Sequence, residues 1–189
     1  MVRDVAFLRA INVGGHVVRM ERLRSLFEGL GFSEVETFIA SGNVIFRTGE
    51  KDTQSIEAQI ARGLEEALGY EVATFIRTEA ELAQIAAYEA FPQAQVEAAT
   101  AYNIAFLHEP LGEQAKQALK GLQTEIDAFV VRATEIYWLC QKKQSESTFS
   151  NAVLEKRLRV KSTIRGVATV QRLAARFGSN LPSSGKPNT

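Results

Sequence analysis

The sequence predicts an α+β fold made of two βαββαβ halves, and three observations carry that prediction. Short apolar runs alternate with helical-period segments in the order βαββαβ, and the same order then recurs without obvious sequence identity. Turn and cap residues stand at the junctions that this order requires. The 46% hydrophobic content of 189 residues is enough to bury a proper core.

The elements follow in order. Residues 3–9 form a strand that runs into Asn12-Val13-Gly14-Gly15. Met20, Leu23, Leu26, Phe27 and Leu30 recur at helical spacing, and Gly31 stands where a left-handed stop belongs. Glu34–Ile39 and Asn43–Thr48 are β-type runs joined by Ala40-Ser41-Gly42, a hairpin signal. Asp52 caps a helix with Ile56, Ile60, Leu64, Ala67 and Leu68 on one face, and Gly69 stops it. Glu71–Arg77 closes the first unit as a strand.

Thr78 and Glu81 make a capping-box pair for a further helix that ends near Phe91-Pro92. Residues 92–100 (PQAQVEAAT) show no period and read as a linker. The pattern resumes with a strand at Tyr102–Leu107. Leu111, Ala115, Ala118, Leu119 and Leu122 give a helix, and Asp127–Arg132 with Glu135–Cys140 give a second hairpin. Phe149, Ala152, Val153 and Leu158 suggest a helix, Thr163–Arg165 a short strand, and Val167, Val170, Leu173, Ala174 and Phe177 a C-terminal helix stopped by Gly178. The predicted organisation is thus a half at 1–91, a linker at 92–100, a half at 101–178 and a polar, mobile tail at 179–189. Sheets of this kind bury one face under helices and leave the other for a partner sheet or a ligand.

Composition narrows the function. No apolar stretch approaches the roughly 20 residues of a membrane span, and the first residues lack a signal-peptide core. With one cysteine and two histidines the expectation is a cytoplasmic chain with no metal site. No Ser–His–Asp or Cys–His arrangement stands out, no cofactor is indicated, and Cys140 reads as a small buried hydrophobe beside Trp138. Net charge is zero, yet residues 148–189 carry eight basic side chains and one acidic, while residues 61–147 carry seven and thirteen. Such asymmetry marks either an anion-binding face or two faces that attract within the fold.

Three places are candidates for function. The loop after the first strand sits where glycine-rich turns cradle phosphates, although Gly14-Gly15 matches no phosphate-loop or dinucleotide pattern. The helix that follows has no Ser, Thr, Asp or Asn at its entry, so its free N–H groups need water, a reach-back from Asn12, or an anion flanked by Arg9 and Arg19. A glycine turn closed by an Asn12 side-chain bond is the plainer alternative. The second place is Ser41-Gly42-Asn43, where a hairpin turn explains all three residues; the topology brings Asn43 to the same edge as Asn12. The third is EKRLRVKSTIRG at 155–166, with Lys156, Arg157, Arg159, Lys161 and Arg165; it lacks the interleaved aromatics that stack bases, and a solvated helix end also accounts for it.

FLRAINVGGHVVRMERLRSLFEGLGFSEVETFIASGNVIF resembles the opening of the bacterial family called domain of unknown function 1697, whose members read LRGINVGG, then a helix ending in LGF, then a YIQSGNVVF-like hairpin. STFSNAVLEKRLRVKSTIRGVAT resembles a later stretch of the same family. The resemblance singles out Arg9, Asn12, Gly14, Gly15, Ser41, Gly42, Asn43, Asn151 and Arg165, and implies no reaction. Three positions depart from the pattern: Ala10 stands for a usual Gly, and Gly166-Val167 for a usual Asn-Trp.

The resulting expectations, in order, are binding of a phosphate-bearing ligand (a nucleotide or short nucleic acid) at the 12–19 loop, then a structural or partner-binding module acting as a homodimer, then an enzyme of unassigned class.

Overall fold

The computed structural model describes residues 2–9, 11, 12, 15, 17–39 and 42–178. Gly14, His16, Ser41 and the 179–189 tail lie outside the described residues. The first half comprises β1 (Val2–Leu8), α1 (Met20–Gly29), β2 (Ser33–Thr37), β3 (Asn43–Thr48), α2 (Thr53–Leu68) and β4 (Thr74–Thr78). Its strands form an antiparallel sheet in the order β2-β3-β1-β4, the ferredoxin-like arrangement. After α3 (Glu79–Ala87) and α4 (Gln93–Ala98), the second half repeats the pattern as β5 (Ala101–Phe106), α5 (Glu113–Lys120), β6 (Asp127–Arg132), β7 (Glu135–Cys140), α6 (Asn151–Leu158) and β8 (Thr163–Gly166). Its sheet order, β6-β7-β5-β8, is the same arrangement. Helix α7 (Val167–Gly178) follows.

The local signals act as the sequence suggests. Asp52 accepts from the Gln54 N–H at the start of α2, and Gly69 ends that helix at φ +81. Thr78 and Glu81 close a reciprocal capping box on α3. Ser150 caps α6 by accepting from the Val153 N–H.

Three differences have physical causes. Within the stretch read as a linker, residues 93–98 form a short helix; six residues are too few to display a period, and none of its side chains is buried. β4 begins at Thr74, three residues later than the apolar run suggests. Val72 is buried, but it packs in the core beneath α2, while the Ala73 carbonyl is taken by the Arg9 N–H at 2.8 Å. α3 ends at Ala87, before Phe91-Pro92, because Tyr88 turns to extended backbone and Tyr88, Ala90 and Phe91 fill space between the halves instead of continuing a helix.

Alternation along each strand sorts the core into three clusters. Ala6, Leu8, Val44, Phe46 and Ile76 face α1 and α2, meeting Leu23, Phe27, Ile60 and Leu64. Ala105, Ile136, Trp138 and Cys140 face α5 and α6. The opposite faces pack against one another: Val5, Phe7, Ile45 and Phe75 meet Ile104, Phe106, Tyr137 and Leu139, with α3 and α7 completing the layer. Phe7 and Phe106 stack at the centre with ring centroids 4.2 Å apart.

The two rings mark equivalent positions, since Phe7 pairs with Asn43 and Phe106 with Glu135, while Val5 pairs with Arg77 and Ile104 with Arg165. The halves are therefore related by an approximate two-fold axis through the stacked rings. The face that the topology leaves free in each half is covered by the other half.

Candidate functional site

The opening loop begins where β1 leaves the sheet. The Leu8 N–H donates to the Gly42 carbonyl at 2.8 Å. Asn12 Oδ1 accepts from the Val18 N–H at 2.7 Å and closes the loop. Val18 precedes the N-cap Arg19, whose side chain makes no cap bond, so the first turn of α1 is left without a side-chain cap. Gly15 has φ +88, which favours glycine, and a Cβ there would meet nothing within 4 Å. Gly42 is constrained differently: at φ +72, a Cβ would lie 2.6 Å from the Ile11 side chain.

The charged residues around the loop are largely committed within the protein. Arg9 donates to Glu155 of α6 at 2.6 Å, and the other Glu155 oxygen accepts from the Ser162 N–H. Lys161 forms an ion pair with Glu71, which holds that carboxyl below its ordinary range. Arg9 and Lys161 belong to or approach opposite halves, so part of the charge asymmetry is satisfied across the seam. Asn43 donates to the Phe38 carbonyl at 3.0 Å and accepts from Arg165 Nε at 2.6 Å. Asn151 ties α6 to Ser162 through two hydrogen bonds.

Arg165 is the most buried cation of this group. A guanidinium has five N–H groups, and its nitrogens reach Asn43 Oδ1, Thr163 Oγ1 and the carbonyls of Ile164, Leu8 and Gly42. Burial brings its pKa down to about 10. Arg77, at the equivalent place in the first half, crosses the seam the other way to Glu135 at 2.8 Å, to the Leu107 carbonyl and to Thr134. Arg77 lies over the Phe106 ring and Arg165 over the Phe7 ring. Arg77, and with it the pairing of the two clamps, is the principal feature that the sequence reading missed. Its signal was an Ile-Arg dipeptide in the last strand of each half, Ile76-Arg77 and Ile164-Arg165.

The basic segment divides in two. Lys156, Arg157 and Arg159 line an open cleft of about 680 Å³ with Thr148, Phe149 and Val153. The lining includes no carboxylate, and these three cations form no salt bridge among the described residues. Arg159 adopts the left-handed conformation at φ +55 that ends α6. Lys161 lies apart from this cleft, beside Glu71. Arg165 is inside the seam.

A second cleft, of about 620 Å³, lies between the halves and is lined by Tyr88, Phe91, Tyr102, Val167 and Gln171. His108 stacks on Phe75 and lies 2.9 Å from the Thr74 carbonyl, so its ring is part of the packing. Cys140 is fully buried and its thiol pKa is raised by that burial. Among the described residues no group of three or more His, Cys, Asp or Glu is placed to hold a metal ion, and no helix is long and apolar enough to cross a membrane.

A family described as a protein of unknown function (DUF1697) matches residues 1–137. The chain belongs to that family. The match spans the opening loop, the first hairpin and both partners of the Arg77–Glu135 pair, and it ends before the basic segment. No curated protein matches the chain. The fold is similar to that of the conserved bacterial protein SP0830 from Streptococcus pneumoniae, with a TM-score of 0.76 and 20% identity over 94% of this chain and 99% of the other. At that identity the likeness concerns the fold alone.

Proposed function

We propose that this chain binds a phosphate-bearing ligand, a nucleotide or a short nucleic acid, in the cleft formed by Lys156, Arg157 and Arg159. The observation that supports it is the lining: three cations, the Thr148 residue and no carboxylate, in a cleft of about 680 Å³. Phosphate recognition needs positive charge that is not already neutralised, together with hydroxyl or N–H donors. Elsewhere along the basic segment the cations are taken, Lys161 by Glu71 and Arg165 by the seam. Arg159 sharpens the reading, because it occupies a backbone conformation where glycine is cheaper by about 1 kcal/mol.

The opening loop is the second reading, favoured by the open space at Gly15 and by the uncapped entry of α1 at Arg19. Its weakness is that Arg9 is already paired with Glu155.

Salt titration separates the readings. Three phosphate contacts should give log K against log salt a slope of about −2.7 for a DNA duplex. Arg159→Gly should flatten that slope by about 0.9 while leaving the fold as stable or more so. Binding that persists unchanged in Lys156→Gln/Arg157→Gln/Arg159→Gly and weakens in Arg19→Gln would move the site to the opening loop. No binding of duplex, single strand or nucleotide at low salt would leave the cleft as a solvated helix end.

A further inference from the structure

The edge of the second sheet has properties that the edge of the first lacks. In the first sheet, β2 is irregular: its register against β3 shifts between Ser33 and Glu36, and Glu34 has φ +48. Such a bulge twists an edge away from pairing. Arg176 of α7 also reaches Glu36 of that strand. β6 has none of these devices. Its six residues run in unbroken register from Asp127↔Cys140 to Arg132↔Glu135.

The hydrogen-bond parity of β6 is fixed by its entry. The Gln141 N–H donates to the Ile126 carbonyl, so even-numbered β6 residues bond to β7 and odd-numbered ones turn their backbone groups outward. Asp127, the first of the odd set, satisfies its groups locally through Thr124. Phe129 and Val131 have no such neighbour among the described residues. The side chains of these two residues also line a cleft of about 400 Å³ between β6 and α5, floored by Pro110, Leu111 and Leu119. Lys116, Lys120, Gln123 and Ala133 complete the lining, which includes no carboxylate. Lys120 forms no salt bridge among the described residues, and Lys116 reaches only the exposed Glu113.

We propose that β6 accepts an extended peptide as an added strand, with an apolar side chain in this cleft and a carboxylate two residues away on the same face reaching Lys120. Main-chain bonds to Phe129 and Val131 supply affinity, and the cleft and its lysine supply the side-chain preference. The two-residue spacing follows from the strand period: residues i and i+2 share a face, whereas neighbours face opposite ways. Charge complementarity selects this occupant, since a second copy pairing edge to edge would bring like-charged lysines toward each other.

The test uses the full chain and capped peptides of threonine carrying either Leu-Thr-Glu or Leu-Glu-Thr. The Leu-Thr-Glu peptide should bind and slow hydrogen exchange at the Phe129 and Val131 amides. N-methylation of the peptide amides that face β6 should weaken it about tenfold, and Lys120→Glu, an exposed change that leaves the core intact, about fivefold. Four outcomes overturn the proposal: equal binding of the Leu-Glu-Thr peptide, no binding of either, a free protein already dimeric with its Phe129 and Val131 amides protected, or a cleft filled by dodecanoate with no peptide competition.

Discussion

The two arginine clamps occupy equivalent places, cross the same seam in opposite directions and differ in one partner. Arg77 meets a carboxylate, Glu135, with both side chains 6% exposed. Arg165 meets an amide, Asn43, and, among the described residues, hydroxyl and carbonyl oxygens. The two arginines thus stand at equivalent register positions, and carbonyls from the facing half receive each of them. Neutralisation of the charge is a separate matter, decided by the residue that opens β3 or β7. A buried guanidinium is held either by one full opposite charge or by a complete shell of dipoles, and in the second case burial lowers its pKa.

The largest effect should come from breaking the charged clamp. Glu135→Ala leaves Arg77 buried without its carboxylate and should cost about 3–5 kcal/mol, read as a lower urea midpoint. A loss below about 1 kcal/mol would show that carbonyl dipoles suffice on this side as well.

A second pair of equivalent positions sharpens the contrast. Asp4 and Asn103 are both buried, each with a side-chain atom lacking a hydrogen-bond partner. Burial, reinforced by the Glu81 charge, pushes the Asp4 pKa up from 3.8 to about 6. The folded value exceeds the unfolded one, so the contribution of protonated Asp4 is complete below about pH 4 and is lost as pH rises through about 6. Asp4→Asn, which copies the second half, should therefore stabilise the chain by up to roughly 3 kcal/mol at pH 8 and give no gain below pH 4. A difference between parent and variant that stays flat across this range would contradict the assignment.

The smallest effect belongs to the neutral clamp. Asn43→Ala removes the acceptor of Arg165 Nε but leaves the other contacts, for a cost of about 2 kcal/mol. If it matches Glu135→Ala, the two clamps are equally dependent on their side-chain partners and the comparison fails.

Much of this architecture was legible from periodicity and caps. The second hairpin, Asp127–Arg132 with Glu135–Cys140, reads directly from two short, nearly continuous apolar runs set two residues apart. The capping box at Thr78 fixes the start of α3, but not its end, because Tyr88 and Phe91 are apolar on account of the layer between the halves. The candidate site was less legible. Lys156, Arg157, Arg159, Lys161 and Arg165 form one basic run in the sequence, yet the fold sends them to a cleft, a salt bridge and a buried seam. Their separation depends on which residues of the other half come near, and local spacing holds no record of that. Arg77 escaped notice because a lone cation in a strand reads as solvent-facing until the second sheet is placed over it.

The stacked pair Phe7 and Phe106 also has a bearing on synthesis. Translation proceeds at roughly 5–20 residues per second, so the first half waits some seconds for the strands that will cover Val5, Phe7, Ile45 and Phe75. During that interval its sheet presents an apolar surface with Arg77 at its rim, on the outer strand β4. A cation set there keeps water on the nascent face and discourages neighbouring chains from sticking to it, in the manner of a gatekeeper residue. The group that later becomes half of a buried ion pair would first serve as a guard against aggregation at the ribosome.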